Sequence, residues 1–227
     1  MLRGRPVASG CSLSSGSVKI DFVREKLSSH TPTRVGTPEH PQAAVAVILR
    51  EGTLGSEVLL IERAIREGDP WSGHMAFPGG RREPDDDSTR MVAHRETFEE
   101  VGLELDGAEY LGRLDDPMGN PRVRSKLVIS AHAFHIEAPP RFVLDPAEVQ
   151  NVLWFPLAGL HDESRWVEHE IPELPEMRFP GVVVGDSNRH VVWGLTYRFL
   201  DRLLEILDCP FPDRWGDLSR FVDPADG

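Results

Sequence analysis

The longest apolar stretch, within Gln42–Arg50 (QAAVAVILR), has no polar interruption between its two end residues. Such a run predicts a strand covered on both faces. The turn-rich EGTLGS follows, and Glu57–Ala64 (EVLLIERA) predicts a second strand that makes a hairpin with the first. REGDPWSGHMAFPGG, punctuated by Gly and Pro around a short apolar piece, reads as a loop. Ser88–Val101 predicts a helix, with Asp87 or Ser88 as its N-cap and Gly102 where a left-handed C′ residue is expected. Met91, Val92 and Phe98 supply its apolar contacts, and its polar face is crowded. AEYLGRLDD, KLVISAHAFHIE and VQNVLWFPL predict strands or strand ends, and Val191–Leu207 (VVWGLTYRFLDRLLEIL) runs from a strand end into an amphipathic helix. There is no internal repeat and no low-complexity tract. A mixed sheet with one internal and one late helix predicts an α/β protein with α/β/α layers over residues 39–207. Residues 1–38 read as a partly disordered N-terminal extension with one short amphipathic helix over Ile20–Leu27. Residues 208–227 read as a C-terminal tail whose aromatic residues predict that part of it docks on the domain.

Composition narrows the classes. A chain of 227 residues with 40% hydrophobic content is long enough to bury a core. The net charge of −12 and the lack of a long basic run argue against a nucleic-acid partner. An acidic protein that handles an anionic substrate needs local arginines or metal ions. The two cysteines, Cys11 and Cys209, lack metal spacing; neither a zinc site nor a disulfide framework is expected, and a reducing, cytoplasmic location is the default. No apolar run approaches 18 residues, so no membrane-spanning helix is expected. The first twenty residues contain no acids and several serines, a composition shared with transit segments, although a disordered start is the preferred reading.

The crowded helix face carries the chemistry. Glu96, Glu99 and Glu100 share a face through i, i+3 and i+4 spacing, so their carboxylates are expected to converge. Arg95 is placed to pair with Glu99 and to reach back toward the acidic helix entrance. A solvated acidic face would intersperse lysines one turn on, and this helix offers Arg95 alone near the cluster. Converging carboxylates repel unless protonated or metal-bound, and an oxygen-only donor set selects Mg²⁺ or Mn²⁺.

These residues resemble the Nudix box, G-x5-E-x7-R-E-U-x-E-E-x-G-U with U apolar, through Gly80, Arg95, Glu96, Glu99, Glu100, Gly102 and Leu103. The resemblance, together with the order of strands and helices, implies a Nudix-type α/β/α sandwich with a loop-helix-loop catalytic box. Two departures stand out. Thr97 occupies an apolar position, and the early Glu is replaced by Asp with stretched spacing: five residues separate Gly80 from Asp86, whereas seven separate Asp87 from Arg95. An extra residue inside the helix would rotate everything beyond it by about 100° and scatter the glutamates. The extra residue is therefore placed in the loop, which favours Asp87 as the brace of Arg95 and leaves Asp86 as the alternative.

The resemblance further implies divalent-metal-dependent hydrolysis of a pyrophosphate bond in a nucleoside diphosphate derivative. It makes Glu96 and Glu100 the prime metal ligands, Glu99 a third or bridging one, and the Gly80 carbonyl a backbone ligand. Glu99, Glu100 and Arg95 form the catalytic set, and Glu148 is a candidate general base from a later loop. The segment from Leu59 to Gly80 resembles that of the coenzyme A pyrophosphatases of this family, through Leu59, Leu60, Arg63, Ala64, Gly73, Phe77, Pro78, Gly79 and Gly80; the W-G-L-T of the last helix does so as well. Where that group has a basic, His-containing stretch this chain has EGDPWSG, so ADP-ribose, a dinucleotide or a nucleotide sugar remains an alternative to coenzyme A or an acyl-CoA. Arg63, Arg81 and Phe77 are candidate substrate contacts, with Arg81 and Arg82 flanking the loop, one toward substrate and the other toward water. Trp71 is a candidate to stack on a base or to pack. Arg122, Arg124 and Lys126 form a compact basic patch. Dimers are common in the family, so a homodimer is compatible with the resemblance. The rival class is a non-catalytic Nudix-fold nucleotide-binding module, which missing box carboxylates would favour; all three are present.

Overall fold

The structure is a computed structural model that describes residues 17–35, 40–68, 71–117, 127–137, 141–171, 174–187 and 189–211. In chain order the helices are α1 (Ile20–Ser29), α2 (Thr89–Val101) and α3 (Gly194–Ile206). The strands are β1 (Gln42–Gly52), β2 (Gly55–Arg63), β3 (Met75–Ala76), β4 (Gly79–Arg81), β5 (Glu109–Arg113), β6 (Val128–His135), β7 (Val149–Pro156), β8 (Trp166–Ile171), β9 (Leu174–Val183) and β10 (Val191–Trp193).

The apolar run is the spine. β1 pairs in parallel with β6 along one edge and shares its other edge between β4 at its start and β2 at its end, both antiparallel. The main sheet runs β3-β2-β1-β6-β5, with β7 also on β2. Alternate residues of β1 enter two different cores. Ala44, Ala46 and Ile48 join Leu59 and Ile61 of β2 and meet Val92, Ala93 and Val101 of α2. Val47 and Leu49 join Val58 and Leu60 and meet Phe199, Leu200, Leu203 and Leu204 of α3 with Val23 and Leu27 of α1. The result is α/β/α, and the double cover explains the unbroken run, since each sealed apolar side chain contributes about 1.5–3 kcal/mol.

Three features go beyond the sequence reading. The loop before the acidic helix contains β3 and β4, too short to leave a periodicity. β8, β9 and β10 form a second, three-stranded antiparallel sheet in the order β10-β9-β8; Pro175 and Pro180 inside β9 mask it as a strand. Residues 17–35 are packed onto the domain. Val18, Val23 and Leu27 lie in the core, Arg24 bonds Glu109 at 2.6 and 2.9 Å, and Lys26 reaches Asp208. Beyond α3, Cys209 and Phe211 are buried, and Phe211 stacks on Tyr197 with ring centroids 4.6 Å apart. Cys11, the Arg122–Lys126 patch and the aromatic residues beyond 211 lie outside the described residues. Among the described residues no helix is long and apolar enough to cross a membrane.

Candidate active site

The acidic helix is fixed at both ends. Ser88 is the N-cap, its hydroxyl accepting from Met91 N–H at 3.3 Å, one residue later than the earliest predicted start. Gly102 adopts the left-handed conformation (φ 68°) and its N–H donates to Phe98 O, which ends the helix. Thr97 is fully buried at an apolar position, and its hydroxyl donates to Ala93 O at 2.7 Å, so no polar atom is stranded. Past the C-terminus, Val143 N–H donates to Val101 O and Asp145 N–H to Glu100 O, which brings the 141–148 loop and Glu148 to the helix end.

β4 runs beside this helix. Gly79 N–H donates to Glu100 Oε2 at 2.9 Å. Gly80 lies so close to Glu96 that a Cβ there would sit 2.3 Å from Oε1, so any larger residue fills the space the carboxylate occupies. Glu100 is 1% exposed, and burial pushes its carboxyl up to about 8, with the charges of Glu96 and Glu148 acting in the same direction and the Gly79 N–H opposing. Burial also raises Glu96, against the pull of Arg95, with Glu99 and Glu148 adding to the rise. The site thus holds carboxylates that burial makes costly to ionise.

Arg95 is the local cation. It donates to Asp86 (3.0 Å), Glu99 (2.9 Å) and Arg81 O (2.9 Å), and lies 2.9 Å from Glu96. Asp86, not Asp87, is its brace: Asp86 is buried and also accepts from Glu83 N–H at 2.8 Å, whereas Asp87 is exposed. Burial works to raise the Asp86 carboxyl, but its bonds with Arg95 and Glu83 outweigh that and hold it below the usual range. The five-residue spacing from Gly80 is therefore the one that is kept, and the extra residue sits at the helix entrance, Asp87–Ser88.

The other expected site residues separate. Glu99 has a 53% exposed side chain paired with Arg95 and meets Glu96 at the same guanidinium nitrogen, while Glu100 is buried. Arg63 acts electrostatically on Glu100 from the end of β2, and Glu148, 3.5 Å from Arg66, acts on both Glu96 and Glu100. Arg81 lies exposed at the mouth. Arg82 is exposed and ties the loop down through Asp86 O at 2.8 Å and Gln42 Oε1 at 2.8 Å. Phe77 is a correction: at 3% exposure it belongs to the α1–α3 core on the other face of the sheet, because the backbone of the loop has turned it inward.

An oxygen-only set of Glu96, Glu100 and Glu148 beside Gly80 fits a hard divalent cation. Among the described residues no three acidic or imidazole groups already surround one point; Glu96 and Glu100 are held by Arg95 and the Gly79 N–H. The Gly79 and Arg82 contacts were not foreseen from sequence, since backbone donors and loop clamps leave no residue-type signal.

The NUDIX domain family matches residues 40–175. An uncharacterized protein of Schizosaccharomyces pombe is 43% identical over 107 residues, covering 45% of this chain and 32% of that protein. A peroxisomal coenzyme A diphosphatase of Caenorhabditis elegans is 33% identical over 141 residues, covering 60% of this chain and 56% of that one. The chain thus spans about a third to just over half of the lengths of these relatives. Among solved structures, a MutT/nudix family protein from Enterococcus faecalis matches with TM-score 0.45 and 18% identity over 84% of this chain and 67% of that one.

Proposed function

The chain belongs to the Nudix family, and from that premise we propose that it hydrolyses the pyrophosphate bond of a nucleoside diphosphate derivative with the help of Mg²⁺ or Mn²⁺. The observation that carries the proposal is the pairing of buried Glu100 and half-buried Glu96, one helical turn apart, in a site where burial disfavours both ionised carboxylates. Glu96, Glu100 and the Gly80 carbonyl would hold the ion, with Glu148 at its edge and Glu99 outside. A bound dication neutralises the diphosphate and lowers the pKa of a water. The chain's own part is positional. Asp86 and Arg81 O fix Arg95, Arg95 fixes the Glu96 and Glu99 carboxylates, and the Gly79 N–H fixes Glu100. Arg63 and Arg81 supply positive charge for phosphate oxygens. Glu148 is the candidate to accept the proton of the attacking water, as the loop carboxylate whose charge bears on both box glutamates.

The resemblance of Leu59–Gly80 to the coenzyme A group, and the likeness to a coenzyme A diphosphatase, support coenzyme A or an acyl-CoA as substrate. EGDPWSG in place of a basic stretch favours ADP-ribose, a dinucleotide or a nucleotide sugar instead. A panel of these compounds, assayed with Mg²⁺ and Mn²⁺, tests the reading. Release of 3′,5′-ADP from coenzyme A selects the first. A strong rival substrate with coenzyme A inert selects the second. No metal-dependent turnover of any member refutes both.

A further inference from the structure

A cavity of about 330 Å³ opens between the Gly73–His74 turn and the second sheet, with Glu168, His169 and Glu170 of β8 and Trp193 of β10 in its walls. Its size is at the small end of small-molecule sites. Aromatic rings line it: His169 stacks on Trp193 (centroids 4.5 Å, 27°) and His74 meets Trp193 edge-on at 5.0 Å. Trp71, outside that lining, leans over the same indole at 6.3 Å and 33°, and is 56% exposed. A ring lying between the two indoles needs two van der Waals spacings, about 7 Å, so a small outward shift of exposed Trp71 admits one.

Charge decides which end of a substrate enters. The arginines of this wall are engaged, Arg178 by Glu170 at 3.0 Å and Arg189 by buried Glu62. Glu168 adds an exposed carboxylate. A phosphate gains nothing here, whereas an exocyclic amino group finds an acceptor. The turn also connects the cavity to the box. Gly73 N–H donates to Arg63 O and Arg63 N–H to His74 O, while the Arg63 charge bears on Glu100. One turn thus joins the cavity wall to the strand end whose arginine acts on the box.

We propose that the Trp71–Trp193 pair beside this cavity opens as the base-binding slot of the enzyme, taking an amino-bearing nucleobase such as adenine or cytosine between the two indoles with Glu168 as amino acceptor, and excluding a phosphate on the ribose. The proposal rests on the hydrolase reading for its substrate and is tested apart from it with nucleosides, which carry no phosphate. Equilibrium dialysis of the full chain in EDTA is expected to show saturable binding of adenosine and cytidine, with uridine at least about fivefold weaker. Trp71→Ala weakens adenosine about tenfold, the scale of one lost stacking contact. It raises KM for the panel substrate by a similar factor with kcat within about twofold, and as an exposed side chain it leaves the melting temperature in place. Glu168→Gln narrows the gap between adenosine and uridine. Glu100→Gln abolishes turnover and keeps adenosine binding. Absence of saturable nucleoside binding, or Trp71→Ala binding and KM equal to wild type, overturns the slot while turnover sensitive to Glu100→Gln still upholds the hydrolase. Adenosine binding sensitive to Trp71→Ala, with no panel member turned over, upholds the slot and sinks the hydrolase.

Discussion

Glu100 and His132 are both buried beneath α2, and they have opposite surroundings. His132, near the N-terminus of the helix, has both ring nitrogens occupied by neutral hydroxyls, Thr89 Oγ1 at 2.9 Å and Tyr110 Oη at 3.0 Å. Burial, reinforced by the charges of Arg113, Arg90 and Arg34, pushes it down to about 3. Glu100, near the C-terminus, has one N–H partner, two like-charged neighbours and a carboxyl pushed up to about 8. One buried ionisable group is closed by hydroxyls and stays neutral; the other keeps like-charged neighbours beside it, opposed by the Gly79 N–H and the Arg63 charge. Burial alone therefore does not mark a functional group, whereas burial without matching partners does.

The comparison breaks hardest at Glu100. Glu100→Gln is expected to lower metal-dependent turnover on the order of 10²–10³-fold, the scale of losing one electrostatic group from a reaction centre. The same change should stabilise the metal-free protein at alkaline pH. A folded-state value near 8 against 4.5 unfolded means that the native state binds the extra proton, so wild-type stability falls as pH rises from about 4.5 through about 8. Chemical denaturation across that range checks the slope, which the glutamine variant flattens. Saturating Mg²⁺ or Mn²⁺ at about a hundred times Kd should restore roughly 2.7 kcal/mol to wild type.

The two aspartates sharpen the picture next. Asp86→Ala frees Arg95 and is expected to lower kcat/KM about 10–100-fold, the range for loss of a supporting contact; Asp87→Ala stays within about twofold. A larger loss for Asp87→Ala than for Asp86→Ala in a steady-state assay would return the brace to Asp87.

His132 gives the opposite limb. Its folded value lies below the unfolded 6.5, so its contribution is complete above about pH 6.5 and is lost as pH falls toward about 3. His132→Gln, which cannot gain that proton, should make acid unfolding shallower in circular dichroism without changing turnover at neutral pH by more than about threefold. Thr97→Val is the smallest expected change. Its hydroxyl bonds only a carbonyl of its own helix, so stability should shift by no more than about 1 kcal/mol and activity should stay level.

Much of this was legible in the chain. The double-sided burial of β1 follows from its unbroken apolar run, and the ends of α2 from Ser88 and Gly102. The pairing of Arg95 with Glu99 follows from helical spacing. The rest depends on contacts distant in sequence. Whether Asp86 or Asp87 faces Arg95 turns on how the Arg81–Ser88 loop is pinned by Arg82 to Gln42, and a spacing count cannot see that. Phe77 sits in a motif segment, but burial comes from β3 lying on β2. The second sheet was hidden by its prolines, and with it the wall that completes the aromatic cavity.

The docking of α1 bears on how the chain emerges during synthesis. Lys26 bonds Asp208 across 182 residues, and Val23 and Leu27 share a core with Leu203, Leu204 and Leu207. At a translation rate of roughly 5–20 residues per second, the helix made first waits about ten to forty seconds for the partners that bury it. Through that interval its apolar face is open to chaperones at the ribosome exit, and the last turns of α3 close the domain.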